Sequence, residues 1–198
     1  MQLAELIQEV YSVTGRPDRI AETTSGIKAA TLKAHQSDYY HKDLLEAGIQ
    51  FSSAEYLQSW DYRREVPLFR AAKYFRKYDT SVSPGVPGIT LTKVVTENIF
   101  DDYGIEKPDI WYAAGGFIQL RSSTLESVYL AGMYLNPDVT NANYNSWIAM
   151  DHPFAIIYEA AATVFKAIGK DEEAASYRNL VAEQIALIRI SNIDSVGY

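Results

Sequence analysis

The hydrophobic period changes twice along this 198-residue chain, and that limits its possible folds more than any single motif. Residues 2–36 keep a helical period. Leu3, Leu6, Ile7, Val10 and Val13 recur at spacings of three and four, giving one apolar face that Thr14-Gly15 ends. A second helix is expected from Pro17, a residue suited to a first helical turn, with Asp18 adding negative charge at the positive end. Ile20, Ile27, Thr31 and Ala34 mark its thin inner face. From 43 to 136, Tyr, Val, Ile, Thr and Phe dominate short runs separated by turn residues. Helical spacing returns after Asp151 with Phe154, Ile157, Ala161, Val164, Phe165 and Ile168, and Gly169 stands where a helix C-terminus favours glycine. Asp171-Glu172-Glu173 opens a further helix carrying Ala174, Tyr177, Val181, Gln184 and Ile188. The expected fold is α+β: a helical bundle from the N- and C-terminal helices, an inserted β-rich subdomain and an extended C-terminal arm. The boundaries by period are 1–42 for the N-terminal helices, 43–137 for the β-rich subdomain, 138–188 for the C-terminal helical hairpin and 189–198 for the arm.

Within the middle region, Leu44–Phe51 and Tyr56–Tyr62 read as two strands. Leu68–Tyr78 shows no clean two-faced pattern and is ambiguous. Ser81–Gly88 is a loop by composition, Ile89–Val95 a strand, and Glu97–Tyr103 a short turn or helix. The clearest hairpin joins Ile110–Ala113 to Ile118–Arg121 through Gly115-Gly116, because glycine supplies the positive φ of tight hairpins. Val128–Leu135 is a last strand stopped by Asn136-Pro137, and 138–150 is an Asn-rich linker. Beyond Ile188 the helical pattern fades into alternation of Ile190, Ile193 and Val196 with Ser, Asn and Asp, ending at Tyr198. Such a tail either folds back on its own surface or adds a strand to another chain, and its alternation suits the second.

Composition narrows the classes. An apolar content of 47% and this length suit a globular domain with its own core. Cysteine is absent, so disulfide and thiol chemistry are excluded and a reducing cytosol is a suitable place of synthesis. No basic leader with an apolar core opens the chain, Gln2 excludes N-myristoylation, and Phe154–Ile168 is too short and too polar to span a bilayer. With 18 basic against 25 acidic residues the net charge is −7, which disfavours sequence-specific DNA binding and suits a surface past which DNA slides. Tyrosine numbers 15, weak support for assembly because tyrosine is frequent at interfaces.

The candidates for chemistry are few. His35 and His41 stand six apart, roughly 240° on a helix, so they do not face one metal. With Asp38 and Asp43 they read as hydrogen-bonded polar groups at a helix-to-strand corner. Asn141, Asn143 and Asn145 resemble the start of a calcium loop, but Ser146 replaces the required Gly and His152 the bidentate Glu. Asp101, Asp102 and Glu106 could supply paired carboxylates for glycoside cleavage, with nothing to fix their separation. No nucleophile elbow, phosphate loop or dinucleotide fingerprint is present, and neither catalytic residues, cofactor nor metal are expected. The one basic concentration, Arg63, Arg64, Arg70, Lys73, Arg76 and Lys77 interleaved with aromatics, suits a solvated strand face, DNA phosphates or an acidic partner surface.

Residues 16–43 carry a resemblance. Arg16-Pro17-Asp18, then a helix, then His35, Asp38, Tyr39, Tyr40 and Asp43 resemble the signature of the head-to-tail adaptor (connector, tail accessory) proteins of tailed bacteriophages. The β-rich middle with Pro67, Phe69 and Arg70, the strand closing on Tyr134 and Pro137, and the C-terminal helices are similar in loose pattern to the same family. The resemblance implies a non-enzymatic structural virion protein in the neck, made in the bacterial host cytoplasm. It implies a homo-oligomeric ring beneath the portal, dodecameric to match it, which extends the DNA channel without sequence-specific binding and offers a platform to tail or nozzle proteins. No membrane is involved. A C-terminal arm reaching a neighbour makes Ile188, Ile190, Ile193, Val196 and Tyr198 the expected interface residues, followed by Arg63, Arg64, Arg70 and Lys73. The alternatives are a virion-associated wall hydrolase using Asp101 or Asp102, and a helical peptide-binding scaffold.

Overall fold

The computed structural model describes residues 1–52, 57–78, 88–95, 108–121 and 126–195. It is a mixed α+β protein with six helices and two four-stranded sheets among the described residues. In chain order these are α1 (Leu3–Thr14), α2 (Ile20–Gln36), a 3₁₀ turn (His41–Asp43), β1 (Leu44–Ser52), β2 (Leu57–Trp60), α3 (Tyr62–Glu65), β3 (Phe69–Tyr78), β4 (Ile89–Thr90), β5 (Thr92–Lys93), β6 (Ile110–Ala114), β7 (Phe117–Arg121), β8 (Glu126–Leu135), α4 (Trp147–Asp151), α5 (Pro153–Ala167) and α6 (Asp171–Ser195). Contacts divide the chain into two compact units, Met1–Asp43 with Asn136–Tyr198, and Leu44–Leu135.

The helical unit is organised around α5. Ala155, Ile156, Ile157, Ala160, Ala161, Ala162, Val164 and Phe165 are all buried, which is more than one stripe. The reason is that α1, α2 and α6 each pack against α5, so most of its circumference meets protein. Small residues bring α2 in closely: a Cβ built on Gly26 would stand 3.5 Å from Ala160 Cα. Leu6, Val10, Ile27 and Ile188 close the same core, each fully buried aliphatic side chain contributing about 1.5–3 kcal/mol of transfer free energy.

Three local expectations in this unit are corrected. Arg16-Pro17-Asp18 does not open α2. The Arg16 guanidinium binds the Asp18 carboxylate through two bonds of 2.7 Å, forming a turn, and α2 starts at Ile20. Asp151 does not cap α5 but ends α4. Pro153 occupies the first turn of α5 and keeps His152 out of helical geometry at φ −137° and ψ 57°. The supposed linker is folded: Asp138 bridges Asn145, Tyr144 is buried, and Ser146 caps α4. The largest difference is at the C-terminal end. No extended arm begins at residue 189, because α6 continues to Ser195. Val196 and Tyr198 lie outside the described residues, and of the Ile193 side chain nothing is said.

The second unit is the β-rich one. Its sheets run β1-β8-β3-β4 and β2-β7-β6-β5, antiparallel throughout except for the parallel pair β5 and β6. They share one core: Trp60, Phe75, Trp111, Ile118, Leu120, Tyr129 and Met133 come from both sheets, with the Phe75 and Trp111 rings edge-on at 5.0 Å. The Gly-Gly hairpin forms as expected, with Gly115 at φ +61° joining β6 to β7. The ambiguous 68–78 run is β3. Register shifts between Phe69 and Ala71 and again between Ala72 and Tyr74 break its alternation. Gly132 of β8 lies beneath the Tyr74 ring, where a Cβ would come within 2.5 Å of it. The Glu97–Tyr103 segment, Glu106 and all of the Ser81–Gly88 loop but Gly88 fall outside the described residues.

Candidate functional site

Two places in the helical unit hold polar groups in defined geometry. The first is the corner after α2. His35, on the last turn of α2, is buried together with Asp43 and Ser146. His35 Nδ1 lies 2.8 Å from Asp43 Oδ1, and His35 Nε2 lies 2.9 Å from Ser146 Oγ. A carboxylate only accepts, so the Nδ1–H donates to Asp43, and Nε2 shares a second hydrogen bond with the Ser146 hydroxyl. Trp147 Nε1–H donates to the same Asp43 oxygen at 2.7 Å, and Ala149 N–H donates to Ser146 Oγ at 3.2 Å. Tyr40 completes the corner, its ring edge-on to Trp147 at 5.3 Å and its hydroxyl 2.7 Å from Ser37 Oγ. Burial pushes the Tyr40 phenol above its ordinary pKa, and the Tyr144 phenol, 2.7 Å from Thr31 Oγ1, likewise.

The order Asp43, His35, Ser146 has the connectivity of a hydrolytic triad. Its setting is different. A nucleophilic serine must meet a substrate carbonyl, whereas Ser146 is buried and its oxygen is engaged by both the imidazole and the start of α4. The arrangement ties α2, the 3₁₀ turn and α4 into one piece. His41 takes no part in it: it is exposed, and its backbone N–H donates to Asn192 Oδ1 on α6 at 2.9 Å. The two histidines therefore do different jobs. Among the described residues no group of three His, Cys, Asp or Glu side chains is placed to hold a metal ion. At the other end of the signature, the Arg16 hydrogen bonds hold the Asp18 carboxyl down at about 2.

The second place is a cleft of about 350 Å³ between α2 and α6, floored by α5. Helices α2 and α6 both pack on α5 and scarcely touch each other. Ala30, Ala34, Ala155 and Ala182 are too small to fill the gap. Lys33, Arg178 and Arg189 stand around it. Lys33 Nζ donates to Glu159 Oε1 at 2.6 Å, while Glu159 Oε2 is buried with no hydrogen-bond partner. Arg189 donates to the Ser37 carbonyl at 2.7 Å and closes one end. Sequence reading missed this cleft, although the alanines of α2, α5 and α6 were visible as a small-residue signal.

The expected interface residues scatter. Ile188 is fully buried in the core of the helical unit, so it is unavailable to a neighbour, whereas Ile190 is exposed on α6. Arg63 and Arg64 lie on α3. Gly116 of the β6–β7 turn lies beneath Arg63, and Arg64 pairs with Glu65 at 2.9 Å. Arg70 and Lys73 lie on β3 over the Tyr134 ring, at 5.5 and 5.9 Å. Asp101, Asp102 and Glu106 lie outside the described residues. No described helix is long and apolar enough to cross a membrane.

No family model matches the chain, and no curated protein matches it.

Proposed function

We propose that this chain is a structural virion protein of a tailed bacteriophage, the head-to-tail adaptor subunit whose ring joins portal to tail. On this reading the helices from both chain ends form one bundle, and the β-rich unit is an insertion that offers surface to tail or nozzle proteins. The ring is homo-oligomeric, dodecameric to match the portal, and its acidic subunits let DNA pass without sequence-specific binding. The protein works in the neck of the virion after synthesis in the host cytoplasm and catalyses nothing.

The observation that carries the reading is the signature over residues 16–43 and the use its residues are put to. Arg16 and Asp18 close a turn, His35 and Asp43 bind each other and the start of α4, and Asp38 stands 3.5 Å from Arg189 of α6. The polar groups of this corner are engaged in internal bonds, as a scaffold requires. On β3, Lys73 and Arg76 lie over tyrosine rings and carry no ion pair among the described residues, which supports contact with an acidic tail-protein surface.

Co-expression with the portal protein of the same phage tests the proposal, read by native mass and negative-stain imaging. A stacked double ring is the expected result. A monomer that ignores the portal overturns it, and cell-wall hydrolysis is then the activity to assay.

A further inference from the structure

The surface of α6 is divided by charge. Both of its cations, Arg178 and Arg189, line the cleft toward α2. Leu187 stands nine residues beyond Arg178, roughly half a turn away around the helix axis. On that far side Leu180, Leu187 and Ile190 are 37%, 53% and 57% exposed. Glu172 and Glu183 fall on the same side, exposed and without an ion pair among the described residues, and no lysine or arginine does. Single exposed aliphatic side chains are ordinary, but three along one helix with acidic neighbours make an amphipathic face that is open among the described residues.

We propose that this face of α6 docks into the α2–α6 cleft of a second copy of the chain. The two surfaces complement each other. The cleft offers alanine-lined space of about 350 Å³ beside Arg178, with Lys33 already held by Glu159, and the far face of α6 offers aliphatic side chains beside Glu172 and Glu183. Arg178 has no carboxylate partner among the described residues, so it is left for the incoming acid. Because the two surfaces lie on opposite sides of the same helix, the contact is head-to-tail and repeats from copy to copy instead of closing as a two-fold dimer. This names the self-contact of the ring proposed above and rests on that reading for its closure, though not for the pairing of surfaces.

The chain has no cysteine, so a single pair of introduced ones reports the contact cleanly. The full chain carrying Lys33→Cys at the cleft and Leu187→Cys on the far face is oxidised at high protein concentration, alone and with the portal protein. Lys33→Cys alone, Leu187→Cys alone and the pair Ser12→Cys with Leu187→Cys serve as controls. A ladder of covalent multimers from the Lys33/Leu187 pair is expected, with the single variants giving at most dimers. Arg178→Glu in that background is expected to weaken the ladder at least tenfold, and Glu183→Arg added to it to restore the ladder. No ladder under either condition, or an equal one from the Ser12 control, overturns the pairing. A stacked ring on the portal with no Lys33/Leu187 ladder sinks this contact and leaves the adaptor reading standing. A ladder from a chain that ignores the portal does the reverse.

Discussion

Asp43 is the acceptor on which the corner depends. One of its oxygens takes both the His35 imidazole and the Trp147 indole N–H. Asp43→Ala leaves the buried imidazole and the half-buried indole N–H without that acceptor, at a cost of about 3 kcal/mol. Ser146→Ala removes one hydroxyl and the cap of α4, costing about 1 kcal/mol. Urea unfolding checks the pair: the midpoint falls about three times further for Asp43→Ala than for Ser146→Ala, with the slope unchanged. The order separates a structural corner from a catalytic one. If Ser146 were a working nucleophile, Ser146→Ala would leave stability nearly untouched and abolish labelling by a serine-directed phosphonate. The wild-type protein is expected not to label at all, since the hydroxyl is buried.

Between elements, the approach of α2 to α5 turns on one glycine. A Cβ on Gly26 meets Ala160 atoms at 3.5–3.7 Å, an ordinary contact, and glycine within a helix costs about 1 kcal/mol relative to alanine. Gly26→Ala therefore raises stability by about 1 kcal/mol, seen as a rise of a few degrees in Tm by calorimetry. Gly26→Leu pushes α2 off α5 and lowers stability by about 1–3 kcal/mol. A fall in Tm for the alanine variant would mean that the helices cannot hold this spacing. Strongly periodic elements such as α1 and α5 were legible in sequence because one apolar stripe, or a nearly complete apolar surface, leaves few alternatives. The end of α6 was not, because its support is tertiary: Arg189 reaches the Ser37 carbonyl and Asn192 the His41 N–H, two bonds between residues over 150 positions apart. Ile188 and Ile190 look like strand alternation but stand on different sides of a helix, one buried and one exposed. β3 was hidden by its register shifts, which break the alternation. The His35 corner was legible as a polar cluster, and its third member was not, since nothing local ties Ser146 to His35, 111 positions earlier.

At the scale of the whole chain, the β-rich unit is bounded by two paired positions. Leu44 opens β1 and lies opposite Tyr134 near the end of β8, so the chain enters and leaves that unit on neighbouring strands about 5 Å apart. The helical unit therefore requires only a short bridge between Asp43 and Asn136, and closing so small a loop costs little. Both flanks are held from within the helical unit, Asp43 by His35 and Trp147, and Asn136 by the Gln36 side chain at 3.4 Å. Replacing residues 44–135 with about four Gly/Ser residues is expected to leave a protein with a helical circular-dichroism spectrum and one cooperative thermal transition. That outcome would make the β-rich unit an appended module, and its loss would remove the Lys73 and Arg76 surface while preserving the α2–α6 cleft. The introduced cysteine pair, Lys33→Cys with Leu187→Cys, would then still give its ladder from the shortened chain. A spectrum without cooperative unfolding would show that the helices of the two chain ends need the β-rich unit to find each other.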